Sequence, residues 1–154
     1  MSEANKEIIR RYQEAYNTHN LDLLEDLLAP DWKTNGWVEG VPQSIEAAKE
    51  FYQAALEAFP DLQFITLHLV AEGDWVVQRN VFRGTFKGDL AGLPPTGQVI
   101  EAGGISMFRI ADGKIVEHWA YADDTNFWSL MGVEVPEVML AFSHRSPAPG
   151  SEPG

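Results

Sequence analysis

Apolar side chains at Ile8, Ile9, Tyr12, Ala15 and Tyr16 recur at helical spacing between charged residues, which predicts an amphipathic helix over 5–16. The polar run Asn17 to Asn20 breaks it. Asn20 is then placed to cap a second, short helix whose Leu21, Leu24, Leu27 and Leu28 face inward until Pro30. A loop carrying Trp32, Gly36, Trp37 and Gly40 follows. Ser44 is expected to cap a third helix, with Glu46 in its first turn, a buried stripe of Ala48, Phe51, Tyr52, Ala55, Leu56 and Phe59, and Pro60 as its stop.

Beyond Pro60 the periodicity changes from helix to strand. Strands are expected over 64–70 and 75–86, separated by Gly73-Asp74, with Gly84 marking a bend or bulge in the second. Residues 99–110 and 114–121 read as an antiparallel hairpin around Ala111-Asp112-Gly113, where the glycine suits a positive φ. Phe127, Trp128, Leu130 and Met131 predict a short helix after Asp124, and 135–142 another. Helices first and antiparallel strands after imply an α+β fold in which helices cover one side of a curved sheet and leave a cavity between the layers.

The 154 residues fit one domain over 1–143, and 144–154 form a tail rich in proline, glycine and serine. Eleven basic against twenty-three acidic residues give a formal charge of −12, which repels phosphate backbones and anionic lipid, so neither nucleic acid nor membrane is expected as a partner. No apolar run approaches the roughly 20 residues of a membrane helix, the first residues lack the order of an export signal, and a cytoplasmic location is the default. The absence of cysteine removes thiolate chemistry. His19, His68, His118 and His144 are scattered, so no metal is expected.

The chemistry-bearing residues concentrate at the end of the hairpin. Glu117, Trp119 and Tyr121 share a parity with Asp123, which would aim acids and rings into one cavity, while His118 would face the opposite side. Asp123 is the leading acid/base candidate, since a carboxylate beside rings loses hydration; the competing reading is that Asp123 or Asp124 caps the following helix. Glu117 is a candidate to share the proton work or to pair with Arg79 or Arg109 across the sheet. Trp32, Trp37, Phe51, Phe59, Trp119 and Phe127 offer ring surface for a planar ligand, and Tyr12, Tyr16 and Asn35 offer polar contacts at the cavity mouth. The loop DLAGLPPTG lacks any phosphate-binding glycine pattern and is stiffened by Pro94 and Pro95.

The segments EAFPDLQF, RGTFKGDLAGLPPTG and GISMFRIADGKIVEHW, with Asp123 beyond them and NTHNLDLLEDLLAPDW near the start, resemble the SnoaL-like polyketide cyclase family. That resemblance covers nearly everything but the tail. It implies the cone of the nuclear-transport-factor-2-like fold, a homodimer formed through the outer sheet face, a small hydrophobic carbonyl compound as ligand, and no cofactor. The family's characterised members close a ring by intramolecular aldol condensation, with an aspartate matching Asp123 as acid/base. Where they place an assisting histidine this chain has Met107, Phe108 and Arg109, so enolate charge would fall to Arg109, Tyr121 or buried water. Two alternatives stand beside it. One is an epoxide-hydrolase-like hydrolase or isomerase, with Arg79 or Arg109 beside Asp123 and a second acid at Glu101 or Glu117. The other is a small-molecule-binding dimer without catalysis.

Overall fold

The structure is a computed structural model that describes residues 2–35, 43–137 and 139. It opens with helix α1 (Ser2–Asn17), which buries Ile9, Tyr12, Ala15 and Tyr16 on one stripe. The second predicted helix is divided into a 3-10 turn (Leu21–Leu23) and a single α-helical turn, α2 (Leu24–Leu27). Asn20 stands at its start without a side-chain capping bond.

The segment read from sequence as a loop is instead a strand, β1 (Leu28–Asn35). Pro30 hid it, because proline cannot donate to a ladder. An edge strand tolerates proline where pairing is irregular, and β1 is an edge strand whose register shifts between Leu28 and Lys33. Helix α3 (Ile45–Ala58) begins as expected, with the Ser44 hydroxyl accepting from Ala47 N at 3.0 Å, a cap that contributes about 1 kcal/mol. Its stripe holds at Ala48 and Tyr52, but Phe51 lies on the outside, 65% exposed. Trp37 falls outside the described residues.

Strands β2 (Gln63–Glu72), β3 (Trp75–Thr85), β4 (Val99–Ala111) and β5 (Lys114–Ala122) complete a five-stranded mixed sheet in the order β1-β5-β4-β3-β2. Only β1 runs parallel to its neighbour. The β4–β5 turn puts both Asp112 (φ 50°) and Gly113 (φ 74°) in the left-handed region, as a two-residue hairpin requires. Gly84 makes no bulge, since β3 pairs with β4 in unbroken register. Its small size instead admits Phe59, whose Cβ lies 2.9 Å from where a Gly84 Cβ would stand.

Register shifts in β2 between Thr66 and His68 and in β4/β5 at Arg109/Ile110 add local twist, and the sheet curls without closing. α1 packs across the concave side. Phe59, Phe86, Phe108, Ile100, Ile115 and Val76 are fully buried there, and each stabilises the fold by roughly 1.5–3 kcal/mol. Short helix α4 (Asp124–Leu130) returns over the end of β4. Of the final helix expected over 135–142, residues 138 and 140–142 lie outside the described residues, as does the tail. No helix among the described residues is long and apolar enough to cross a membrane.

Candidate active site

The two faces of the sheet are reversed from the expected assignment. On β4 the residues against the helices are Ile100, Ala102, Ser106, Phe108 and Ile110, and their cross-strand partners on β5 include His118 and Ala120. His118 therefore faces inward. Its ring stacks on Phe108 with centroids 4.5 Å apart and meets Tyr12 edge-on at 6.1 Å. Glu117, Trp119 and Tyr121 take the opposite, convex face with Ile105, Met107 and Arg109, and Tyr121 is 65% exposed. Strand alternation was read correctly, but which set faces the helices was not.

Arg109 and Glu117 come together on that convex face. Arg109 Nη2 and Nε donate to Glu117 Oε1 at 2.7 and 3.1 Å. The guanidinium holds the Glu117 carboxyl below its ordinary range, and the carboxylate in turn raises Arg109. Arg79 and Arg83 project from the same side, Arg83 onto Glu101 at 2.8 Å. The pairing of Glu117 with Arg109 is thus the cross-strand one anticipated, and the sheet separates both residues and Tyr121 from the concave face. Asn35, in register with Trp119, ends β1.

Asp123 closes β5 and opens α4. Its N–H donates to Gly103 O at 3.0 Å, and its Oδ1 accepts from Asn126 N at 3.2 Å, so it does cap the helix. Its Oδ2 is a different matter: it is buried and has no hydrogen-bond partner among the described residues. One oxygen anchors the carboxylate and the other is left over.

Between His118 and Asp123 the concave face is built of small side chains. Ala120 and Ala122 on β5 are exposed, and beside them lie Ser106 and Gly104 on β4, then Gln78 and Asn80 on β3. A Cβ on Gly104 would stand 3.1 Å from Asn80 Oδ1, so nothing larger than glycine fits there without displacement. Polar groups continue outward, with Asn80 Nδ2 donating to Gln78 Oε1 at 3.3 Å and Gln78 Nε2 to Thr66 Oγ1 at 2.7 Å. Gln78 Nε2 also donates to Gln13 Oε1 of α1.

Rings bound this floor at both ends. On the Asp123 side, Phe82 contacts Phe127 at 5.6 Å and Phe59 at 5.0 Å. On the His118 side stand Phe108, Tyr12, Tyr16 and Tyr52, with Tyr16 and Tyr52 at 4.0 Å, and Phe64 links the two groups at 5.8 Å from Phe82 and 6.1 Å from Tyr52. Tyr12 and Tyr16 are buried within the core rather than at a mouth, and Trp32 is buried with them. A groove of about 530 Å³ lies at the outer end of the polar chain that reaches Gln13, between α1 and β2, past Arg10, Gln13, Asn17, Thr66 and His68. None of the expected site residues lines it.

Residues missed from sequence are His118, assigned to the wrong face, and Tyr52, read only as part of the core stripe. The detectable sign was the run of small residues Gly104, Ser106, Ala120 and Ala122 at one parity of two adjacent strands.

The fold, a curled sheet with helices packed on its concave side, has close counterparts. The family model for SnoaL-like polyketide cyclases matches residues 6–128. The chain belongs to the SnoaL-like polyketide cyclase family. Among curated relatives of this SnoaL-like protein is the aklanonic acid methyl ester cyclase AcmA of Streptomyces galilaeus, 27% identical over 143 residues, covering 90% of this chain and 95% of AcmA. The nogalonic acid methyl ester cyclase of Streptomyces nogalater is 26% identical over 111 residues, with 71% and 83% covered. Among solved structures, IdmH of Streptomyces antibioticus, a proposed polyketide cyclase, superposes with a TM-score of 0.74 at 34% identity over 84% of this chain and 99% of its own. TsrD of Streptomyces laurentii gives 0.78 at 26% identity over 86% and 97%.

Proposed function

We propose that this SnoaL-like protein closes a ring in a small, polyketide-derived carbonyl compound, by cofactor-independent aldol chemistry in which Asp123 moves the proton. The observation that carries the reading is the buried Oδ2 of Asp123, without a hydrogen-bond partner among the described residues, at the end of a floor of small residues. The names of the curated relatives, all methyl ester cyclases, favour a substrate that bears a methyl ester. Oδ2 takes a proton from a carbon flanked by two carbonyls. The resulting enolate forms a carbon–carbon bond to a second carbonyl of the same molecule, and Asp123 returns its proton to the new alkoxide. Atoms balance, and the product is an isomer of the substrate. The cap bond from Asn126 N fixes the carboxylate's orientation throughout.

The hydrolase alternative loses its support, because Arg79, Arg83 and Arg109 all leave from the convex face. That face also favours a homodimer: Val70, Val77, Ile105 and Tyr121 leave apolar surface uncovered on it beside Arg79 and the Arg109–Glu117 pair. The test of the catalytic reading is turnover of a linear methyl ester with a 1,3-dicarbonyl by the parent and by Asp123→Asn. Loss of at least about 100-fold in kcat for the variant supports it. Equal turnover removes Asp123 from the reaction, and tight binding without turnover by the parent leaves the binding-protein alternative.

A further inference from the structure

Asn80 carries a carboxamide whose polarity is fixed by a chain of hydrogen bonds that starts at a backbone carbonyl, a group that can only accept. Phe64 O takes Gln13 Nε2 at 2.8 Å, so Gln13 Oε1 faces the other way, where it accepts from Gln78 Nε2 and Thr66 Oγ1. Gln78 Oε1 is thereby turned toward Asn80, whose Nδ2 donates to it at 3.3 Å. Reversing any one of these amides would set like atoms against each other. Asn80 thus keeps Oδ1 on its free side, and this oxygen makes no hydrogen bond among the described residues. It leans over Gly104: the point where a Gly104 Cβ would stand is 3.1 Å from Asn80 Oδ1 and 3.7 Å from Ala122 Cα, and Ala122 leads directly into Asp123. The floor is open to solvent there, since Ala120 and Ala122 are exposed and Asn80 and Gly104 half-buried. Arg79, Arg83 and Arg109 leave from the convex face, and burial pushes His118 down to about 4, so none of them offers an enolate on this floor a counter-charge at neutral pH.

We infer that Asn80 sets the tautomer in which a 1,3-dicarbonyl ligand is held, its Oδ1 accepting the O–H of the enol. The inference rests on the reading above that the concave face is where substrate binds, and it adds to that reading a residue and the form of the bound ligand. The keto form presents only acceptor oxygens, which Asn80 Oδ1 repels, whereas the enol presents an O–H donor. The step balances within the ligand. The C–H bond between the two carbonyls breaks, Asp123 Oδ2 carries that proton, and an O–H bond forms on one carbonyl oxygen as a carbon–carbon double bond replaces its C=O. No charge is then left on the ligand, which suits a floor without a facing cation from β3 or β4. Asn80 touches the ligand, while Gln13, Thr66 and Gln78 act only through it, as positioning residues.

The test is titration of the full chain with benzoylacetone at neutral pH, read by the absorption band of the enol, which lies to longer wavelength than that of the keto form. Binding to the parent should raise the enol-to-keto ratio of the bound ligand roughly 3- to 10-fold over that in buffer, the worth of one hydrogen bond. Asn80→Leu keeps the side chain's size and should bind the probe without that rise. Gln13→Leu leaves Asn80 in place but frees the Gln78 amide to turn, so it should lose part of the rise, and it carries the test if Asn80→Leu does not fold. A parent that binds no benzoylacetone, a bound ratio equal to that in buffer, or a rise undiminished in Asn80→Leu, or in Gln13→Leu where that variant stands in, overturns the role of Asn80. Asp123→Asn separates the two readings, because it should change the speed at which the band appears and not its final height. If it slows the band while Asn80→Leu keeps the rise, only the inference about Asn80 fails; if the band appears at the parent's speed while Asn80→Leu loses the rise, Asn80 stands and the role of Asp123 fails.

Discussion

Asn17 and Phe64 pair as two neighbouring strand residues would, although one is the last residue of a helix. Phe64 N donates to Asn17 Oδ1 at 2.8 Å, and Asn17 Nδ2 donates to Phe64 O at 2.9 Å. The side-chain amide thereby satisfies the outer backbone groups of an edge strand and fastens α1 to β2. Asn17→Ala should lower unfolding free energy by about 1–3 kcal/mol in urea titration, since it strands a partly buried donor. Asn17→Asp keeps the acceptor, sets a carboxylate against Phe64 O, and should be at least as harmful.

Gly88 makes the closest backbone approach in the molecule's described glycines. A Cβ there would stand 2.1 Å from Glu57 O, and the N–H groups of Lys87 and Gly88 both donate to Ala58 O, at 2.9 and 3.1 Å. This contact ties the end of α3 to the β3–β4 connection. Gly88→Ala must push the two backbones apart and should cost more than about 2 kcal/mol, whereas Gly92→Ala, with open space but φ +86°, should cost only about 1 kcal/mol of strain. Calorimetric melting of the two variants checks the ranking.

His118 makes stability depend on pH in a defined window. Burial depresses its folded-state value to about 4, below the ordinary 6.5, while Phe108 and Tyr12 offer it no counter-charge. Above 6.5 both states are neutral and its contribution is complete. Between 6.5 and 4 the unfolded chain binds a proton that the folded one refuses, so stability falls as pH falls, by at most about 3 kcal/mol. Melting temperature should drop between pH 7 and 4.5 in the parent and stay flatter in His118→Phe. Equal slopes would mean that the ring protonates in place.

Local rules were legible in the residues, and the choice of face was not. Ser44 caps α3 and Asp112-Gly113 turns the hairpin because each depends on a few adjacent atoms. Alternation along β5 was equally plain, yet it gives no sign, and hydrophobicity points the wrong way: Met107, Trp119 and Tyr121 are the larger, more aromatic set, and they lie on the convex side. The middle of the concave face is marked instead by Gly104, Ser106, Ala120 and Ala122, which carry almost no hydropathic weight. β1 stayed hidden for a related reason, since a parallel edge pairing with β5 is specified by residues some eighty positions away.

The exposed apolar side chains of the convex face give a prediction about assembly. Ile105, 49% exposed, lies between Arg79 on β3 and Tyr121 on β5. In Ile105→Glu the new carboxylate has Arg79 as a cross-strand neighbour, so the monomer should fold normally, whereas burial in an interface would desolvate the charge. Analytical ultracentrifugation should show the parent as a dimer and the variant as a monomer. A parent that sediments as a monomer at micromolar concentration removes the proposed interface.

Asp123 has two oxygens with separable duties, and paired substitutions can measure them apart. Asparagine keeps an oxygen able to accept from Asn126 N and is among the best capping residues, so Asp123→Asn should melt within about 0.5 kcal/mol of the parent. It removes the proton-accepting Oδ2, so turnover should collapse although the fold does not. Alanine removes both, and Asp123→Ala should lose about 1 kcal/mol of stability in addition to activity. Serine tests the division from the other side, because it caps as well as asparagine but cannot accept the proton. If Asp123→Ser restored the stability lost in alanine and also retained turnover, capping would be the whole contribution of this residue and the proton would have to be moved elsewhere.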